Sequence, residues 1–443
     1  MNGNTNDQTS GRVEEDYVKH QVQSPTNVWL SLQKVIPLQD RDARFWWYHT
    51  GYHVACMVDA SGYSTEKQYE VLLFHLNWIC PRLGPAPEGD GKSKWHSLMA
   101  HDGSPLEYSW KWNTSAGKPD IRYSWEPFNP GSGRTTDPRN HALSLDYMRA
   151  VKHVLPGVDF SWITTLLEEI ESGDQNASHF LHAVEYSQTK SFGLKSYFLP
   201  RDYKILQAGS TTTMDEWDKA ILKLNPNNVG RDTLMEFISS NPEGKLLQPC
   251  VLAVDNVKPE KSRLKLYFMT SHTSFSSLRE IVTLGGTRDV PESSLQDLKS
   301  FIWTLLGLPD DYPEDVNVPA HPPVAKTWLD EENLVECFVY FFDIAPHNSE
   351  VDIKFYLPTR RYGPDDRQIA TRLVEWMKSR GRGAWCDRYL HMLEALAEHR
   401  GLENGKGLHS YISYQIGKGS EPDIKSYLTP ETYHPARYTL SKE

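Results

Sequence analysis

Four segments of the chain alternate in the same way, placing an apolar residue before a lysine and a tyrosine two positions after it. They are Leu194-Lys195-Ser196-Tyr197-Phe198-Leu199, Leu264-Lys265-Leu266-Tyr267-Phe268, Ile353-Lys354-Phe355-Tyr356-Leu357 and Ile424-Lys425-Ser426-Tyr427-Leu428. An extended strand turns successive side chains to opposite faces, so each Lys-x-Tyr pair shares one face and the apolar residues share the other. In the second segment Arg263 joins Lys265 and Tyr267 on that face. The lysines are separated by 70, 89 and 71 residues (265−195, 354−265, 425−354), and Arg122, in Ile121-Arg122-Tyr123-Ser124-Trp125, stands 73 before Lys195. A single amphipathic strand with a lysine on its wet face is ordinary. Recurrence at near-regular spacing is the signature of a repeated supersecondary unit.

Each basic strand has a partner in sequence. The pairs are 106–112 with 120–126, 179–186 with 193–199, 249–257 with 262–269, 334–344 with 350–357, and 408–416 with 424–428. Between them lie helical patterns at 143–155, 160–172, 214–224, 231–239, 276–284, 294–306, 367–379 and 384–400, preceded by helices at 28–35 and 69–79 and an aromatic-rich stretch at 41–56. Two strands with flanking helices, five times over, give about ten strands. Closing such a set removes exposed sheet edges. The basic strand faces suit a solvated interior, and ten strands enclose enough room for a ligand. The fold class expected is therefore α+β: a ten-stranded antiparallel β-barrel built from αββα repeats, helices outside, active site in the lumen. The expected organisation is a disordered tail over 1–25 and a single barrel domain over 26–443.

Composition narrows the chemistry. With 47 basic and 58 acidic residues the formal net charge is −11, which disfavours nucleic acid as a partner. Cations gathered on internal strands of an acidic protein suit a small anion. No run of about 18 apolar residues occurs, so a membrane span is not expected. Five scattered cysteines without CxxC pairing, and an N-terminus with no apolar signal core, point to a reducing cytoplasm. Gly89-Asp90-Gly91-Lys92-Ser93 lacks the first glycine of a phosphate loop, since position 86 is Ala86. Asp310-Asp311-Tyr312-Pro313-Glu314-Asp315 has the wrong spacing for a Mg²⁺-binding aspartate motif. His49 with His53, and His179 with His182, lack further ligands at metal spacing. No metal is expected.

Leu83-Gly84-Pro85, Pro105-Leu106-Glu107-Tyr108-Ser109, Ile121 to Pro127, Leu155-Pro156-Gly157-Val158-Asp159 and the four Lys-x-Tyr strands resemble, in order, the fungal dimethylallyl-tryptophan synthase family. The resemblance runs from about Trp46 to Tyr427. It implies an aromatic prenyltransferase of secondary metabolism that moves a dimethylallyl group from its diphosphate to an indole, tryptophan or a derivative such as a cyclic dipeptide, without a metal. By the same resemblance Glu107 is the carboxylate that accepts the indole N–H. Arg122, Lys195, Tyr197, Arg263, Lys265, Tyr267, Lys354, Tyr356 and Tyr427 match diphosphate-binding positions. Tyr197, Tyr267, Tyr356, Tyr411 and Tyr427 match the tyrosine shield around the cation. Lys354 stands where Gln is frequent in the family. A lysine used for proton removal in some members falls here near His182, a candidate proton relay.

The residues support that chemistry independently. Ionising an allyl diphosphate leaves a cation beside a highly charged anion, and both need stabilisation. Arg122, Lys195, Arg263, Lys265 and Lys354 offer charge-assisted bonds to phosphate oxygens. Tyrosine hydroxyls add donors, and their ring faces stabilise a cation and exclude water. Two alternatives stay open: a phenolic or polycyclic polyketide acceptor, and a non-catalytic barrel that only binds isoprenoid diphosphate. The expected partners are the two small molecules, with a homodimer one option.

Overall fold

The computed structural model describes residues 26–88, 91, 97, 99–132, 134–137, 140–171, 180–199, 212–321, 337–346, 348, 350–417 and 421–439. The tail expected over 1–25 lies outside the described residues, as does His179. Ten strands follow along the chain: β1 (Leu106–Lys111), β2 (Asp120–Trp125), β3 (Phe180–Tyr186), β4 (Gly193–Phe198), β5 (Gln248–Asp255), β6 (Leu264–Thr270), β7 (Phe338–Ile344), β8 (Asp352–Leu357), β9 (His409–Gln415) and β10 (Asp423–Leu428). Each pairs antiparallel with the next, and β1 pairs with β10 through Tyr108–Leu428 to Lys111–Lys425, so the sheet closes into a barrel. Closure pairs both edges of each of these ten strands.

Strand alternation assigns the two faces. Leu106, Tyr108, Trp110, Leu264, Leu266, Phe268, Tyr340, Phe342, Ile353 and Phe355 are buried outward against helices in one continuous apolar core. The helices Glu292–Leu306, Asp366–Ser379 and Cys386–Leu396 show the amphipathic spacing read from the sequence, with Leu295, Leu298, Ile302, Leu305 and Leu306 of the first buried. Asp365 caps the second, its carboxylate accepting from Gln368 N at 2.8 Å.

Two regions depart from the expected pattern. The aromatic stretch at 41–56 is helical throughout: Arg41–Trp46, a π-turn over Trp47–Gly51, then Tyr52–Ala60. Gly51 sits inside it because the Trp47 ring lies against its α-carbon, and a β-carbon there would fall 2.5 Å from the ring. The helix expected over 69–79 begins earlier, at Thr65, and ends in a second π-turn over His75–Ile79.

Two β-bulges also interrupt the ladder. The β10–β9 register runs Tyr427–Tyr411 and then Leu428–His409, leaving Ser410 as the extra residue. The β5–β6 register breaks between Pro249 and Val251, leaving Cys250 as the extra residue. A bulge re-aims the side chain it adds. Both lie at the same end of the lumen.

Candidate active site

Three layers stack along the barrel axis, two strand positions apart. At one end Arg122 faces Glu185, Lys195 faces Asp255, Lys265 faces Asp343 and Lys111 faces Lys425 across neighbouring strands. These groups, with Arg263, Lys354, Asp352 and Asp423, line a cavity of about 240 Å³. In the middle layer Tyr197, Tyr267, Tyr356, Tyr411 and Tyr427 form a belt, with ring centroids 6.4 Å apart for Tyr197–Tyr267, 5.8 Å for Tyr267–Tyr356 and 5.4 Å for Tyr356–Tyr427. Phe341 packs into it, 5.2 Å from Tyr267. At the other end Glu107 shares the lumen with Leu181, Val251, Met269 and Val339, which face lumen residues across the ladder.

The polar layer is a salt lattice. Lys195 Nζ lies 2.5 Å from Glu185, and Arg122 Nη1 lies 3.1 Å from the same carboxylate. Arg263 bridges Asp255 at 2.7 Å and Asp343 at 2.9 Å, and Lys265 bonds Asp255. Burial works to raise Asp255, but Lys265, Lys195 and Arg263 hold it down at about 2. Burial lowers Lys265 to about 7, helped by Lys195 and Arg263 and resisted by Asp255 and Asp343. Arg122 reaches across to the belt, where Nη2 donates to the Tyr427 hydroxyl and the guanidinium sits 5.2 Å from that ring.

Glu107 is the acid of the apolar end. Its Oε1 accepts from the Ser410 hydroxyl at 2.6 Å. Removal from water raises this carboxyl to about 7, against the Ser410 bond and the Arg122 charge. Burial likewise holds Tyr267, Tyr356 and Tyr427 neutral, so their hydroxyls remain donors. The arrangement suits an anion at one end, a cation against ring faces in the middle, and an apolar molecule with one acidic hydrogen at the other.

Residues 42–392 match the family described as tryptophan dimethylallyltransferase. The prenyltransferase anuH of Penicillium roqueforti is 44% identical, covering 94% of this chain and 95% of its own. The chain belongs to that family. It is a prenyltransferase. Xanthone prenyltransferase A of Emericella nidulans is 39% identical, covering 90% of this chain and 94% of its own. Among solved structures, NotF in complex with brevianamide F and DMSPP has the same fold, with a TM-score of 0.70 at 22% identity over 92% of this chain and 99% of that one.

The prenyltransferase barrel brings Arg122, Lys195, Arg263, Lys265, Lys354 and the tyrosines 197, 267, 356, 411 and 427 into one lumen, with Glu107 beyond the belt. His182 does not join them. It lies on the outer face of β3, 1% exposed, with Nδ1 3.2 Å from Ser196 Oγ and its ring among Trp125, Tyr147 and Phe180. Strand parity is the reason: the lumen positions beside it are Leu181 and Ala183, opposite Tyr197 and Lys195. The proton-relay role expected of His182 is corrected accordingly.

Other lumen residues of the prenyltransferase were not anticipated: the cation Lys111, the acids Glu185, Asp255, Asp343, Asp352 and Asp423, and Ser410; Lys425, whose strand pattern places it on the inward face, was not among the expected diphosphate-binding residues. The signal for Asp352 and Asp423 was present, since each stands two positions before a site lysine. His49 and His53 are buried on the N-terminal helices, 3.1 Å from Thr432 Oγ1 and 3.3 Å from the Tyr108 hydroxyl. Among the described residues the one His–carboxylate group at ligand spacing is His399, Glu431 and His434, outside the lumen, with Arg400 already 3.0 Å from Glu431. Asp310 to Asp315 lies in the turn after Glu292–Leu306. Among the described residues no helix is long and apolar enough to cross a membrane.

Proposed function

We propose that this prenyltransferase moves a dimethylallyl group from dimethylallyl diphosphate to a planar phenolic acceptor, without a metal. One observation carries the reading: Glu107 stands in an apolar end of the lumen, across a tyrosine belt from a cavity ringed by cations. Among the described residues, no lysine or arginine occupies the lumen positions of that end beside Leu181, Val251, Met269 and Val339. A free amino acid would leave its carboxylate without a counter-charge there, whereas a neutral arene with one acidic hydrogen fits. The name of xanthone prenyltransferase A, at 39% identity, supports a hydroxylated polycyclic ring.

The donor C–O bond breaks, and the lysines and arginines take up the charge on the departing diphosphate. The allyl cation left behind faces the tyrosine rings, which also exclude water. Glu107 accepts the phenol proton as ring π electrons form the new C–C bond. The resulting dienone loses its ring proton and regains one on oxygen, restoring the arene.

An indole acceptor is the second reading. The tryptophan in the family's name and the brevianamide F of the NotF complex favour it. The test is to incubate purified protein with dimethylallyl diphosphate and excess EDTA, offering hydroxyxanthones, other polycyclic phenols, tryptophan and tryptophan cyclic dipeptides. Mass spectrometry should find a prenyl addition on a phenol. Addition only to indoles would overturn the acceptor, and activity needing added Mg²⁺ would overturn the metal-free step.

A further inference from the structure

Two lumen carboxylates each gather three cations. Asp255 on β5 bonds Lys265, lies 2.7 Å from Arg263 and stands 3.9 Å from Lys195. Asp423 on β10 lies 3.3 Å from Lys354, 3.8 Å from Lys425 and 4.0 Å from Lys111. In the strand order β5 and β10 are five places apart in a ring of ten, so the clusters stand on opposite walls of one cavity. Two lysines of each cluster are buried, Lys195 with Lys265 and Lys354 with Lys425, while Arg263 and Lys111 are more open; buried lysines without a counter-ion would repel their neighbours or shed protons. A carboxylate held by three cations occupies the kind of position one phosphate group of a diphosphate needs, and the donor carries two such groups.

We propose that Asp255 and Asp423 are resident counter-ions that keep the two clusters charged and turned inward until the donor's two phosphate groups take over that role. Lys111 and Lys425 thereby join the donor-binding set. This rests on the donor reading above. The groups facing Asp255 are Lys195 and Glu185 from β4 and β3, Arg263 and Lys265 at β6, and Asp343 from β7. Those facing Asp423 are Lys111, Lys354, Lys425 and, further off, Arg122.

The alternative is that both acids merely compete with the donor, and the two ideas differ in sign. Without Asp255, Lys265 loses its nearest anion and gives up its proton at a lower pH, so the cluster is poorer in charge at pH 8 and regains it at pH 6. Calorimetric titration of the full chain with inorganic diphosphate at both pH values reads this. Asp255→Asn should bind about tenfold more weakly at pH 8, regain most of that at pH 6, and be rescued by Asp255→Glu, one pKa unit being tenfold in charge state. Lys425→Ala should raise the KM for dimethylallyl diphosphate about tenfold with kcat little changed. Should Asp255→Asn not fold, Asp423→Asn carries the same test on the opposite wall. Equal or tighter binding by both Asn variants overturns the proposal, and so does equal weakening at the two pH values. Wild-type protein that binds no diphosphate at either pH overturns the donor reading itself.

Discussion

Glu107 Oε1 and Ser410 Oγ meet at 2.6 Å although 303 residues separate them in the chain. Glu107 comes from the first strand, and Ser410 is the extra residue of a bulge in the ninth. The carboxylate is thus fixed by a hydroxyl that regular strand alternation would have turned outward.

Glu107→Gln keeps the shape and removes the proposed base. Turnover should fall by about 10²–10⁴-fold, with dimethylallyl diphosphate binding unchanged. In the proposed step the working form is the carboxylate, and burial raises the pKa of this carboxyl to about 7. Wild-type kcat should therefore climb as pH rises through about 7, and the variant should lose that limb. Equal turnover would remove Glu107 from the mechanism.

The same shift has a stability consequence. An acid raised on folding binds its proton more tightly in the folded state, so it weakens the fold as pH rises from the unfolded value through about 7. Glu107→Gln should accordingly melt at a higher temperature than wild type at pH 8, with the gap closing at pH 4. A lower Tm at pH 8 would contradict the buried placement.

Tyr356 touches Tyr267, Tyr411 and Tyr427 in the belt. Tyr356→Ala should admit water and divert the allyl cation, raising the ratio of dimethylallyl alcohol to prenylated product. Tyr356→Phe keeps the ring and should keep that ratio near wild type. Identical partitioning in both variants would deny the belt a shielding role.

His182→Phe tests the outward placement. The ring packs among aromatics away from the lumen, so kcat should stay within about twofold while stability shifts by about 1–2 kcal/mol, as for a changed buried hydrogen bond. A large loss of kcat at unchanged Tm would return this histidine to the mechanism.

Much of the barrel was legible because alternation is a rigid rule. Once Lys195, Lys265, Lys354 and Lys425 recur with Tyr two positions on, their shared face and the apolar opposite face follow. Glu185 and Asp255 escaped notice because each stands on the strand paired with its lysine, and cross-strand register is not written in a single sequence. Ser410 and Cys250 escaped for a different reason, since a bulge breaks the parity that makes faces readable. His182 shows the cost of setting parity aside: Leu181 and Ala183, not the histidine, fall in step with the lumen. The helix through Gly51 was hidden because glycine reads as a break unless a neighbouring ring needs the space.

The pairing of β1 with β10 also governs how the protein is made. While the ribosome still holds the last strand, the nascent chain is an open sheet with two unpaired edges, and Arg122 has no Tyr427 to meet. Such edges recruit other chains. A nonsense change just before residue 423 would delete little of the sequence, yet it should yield an aggregating polypeptide rather than a weakened enzyme.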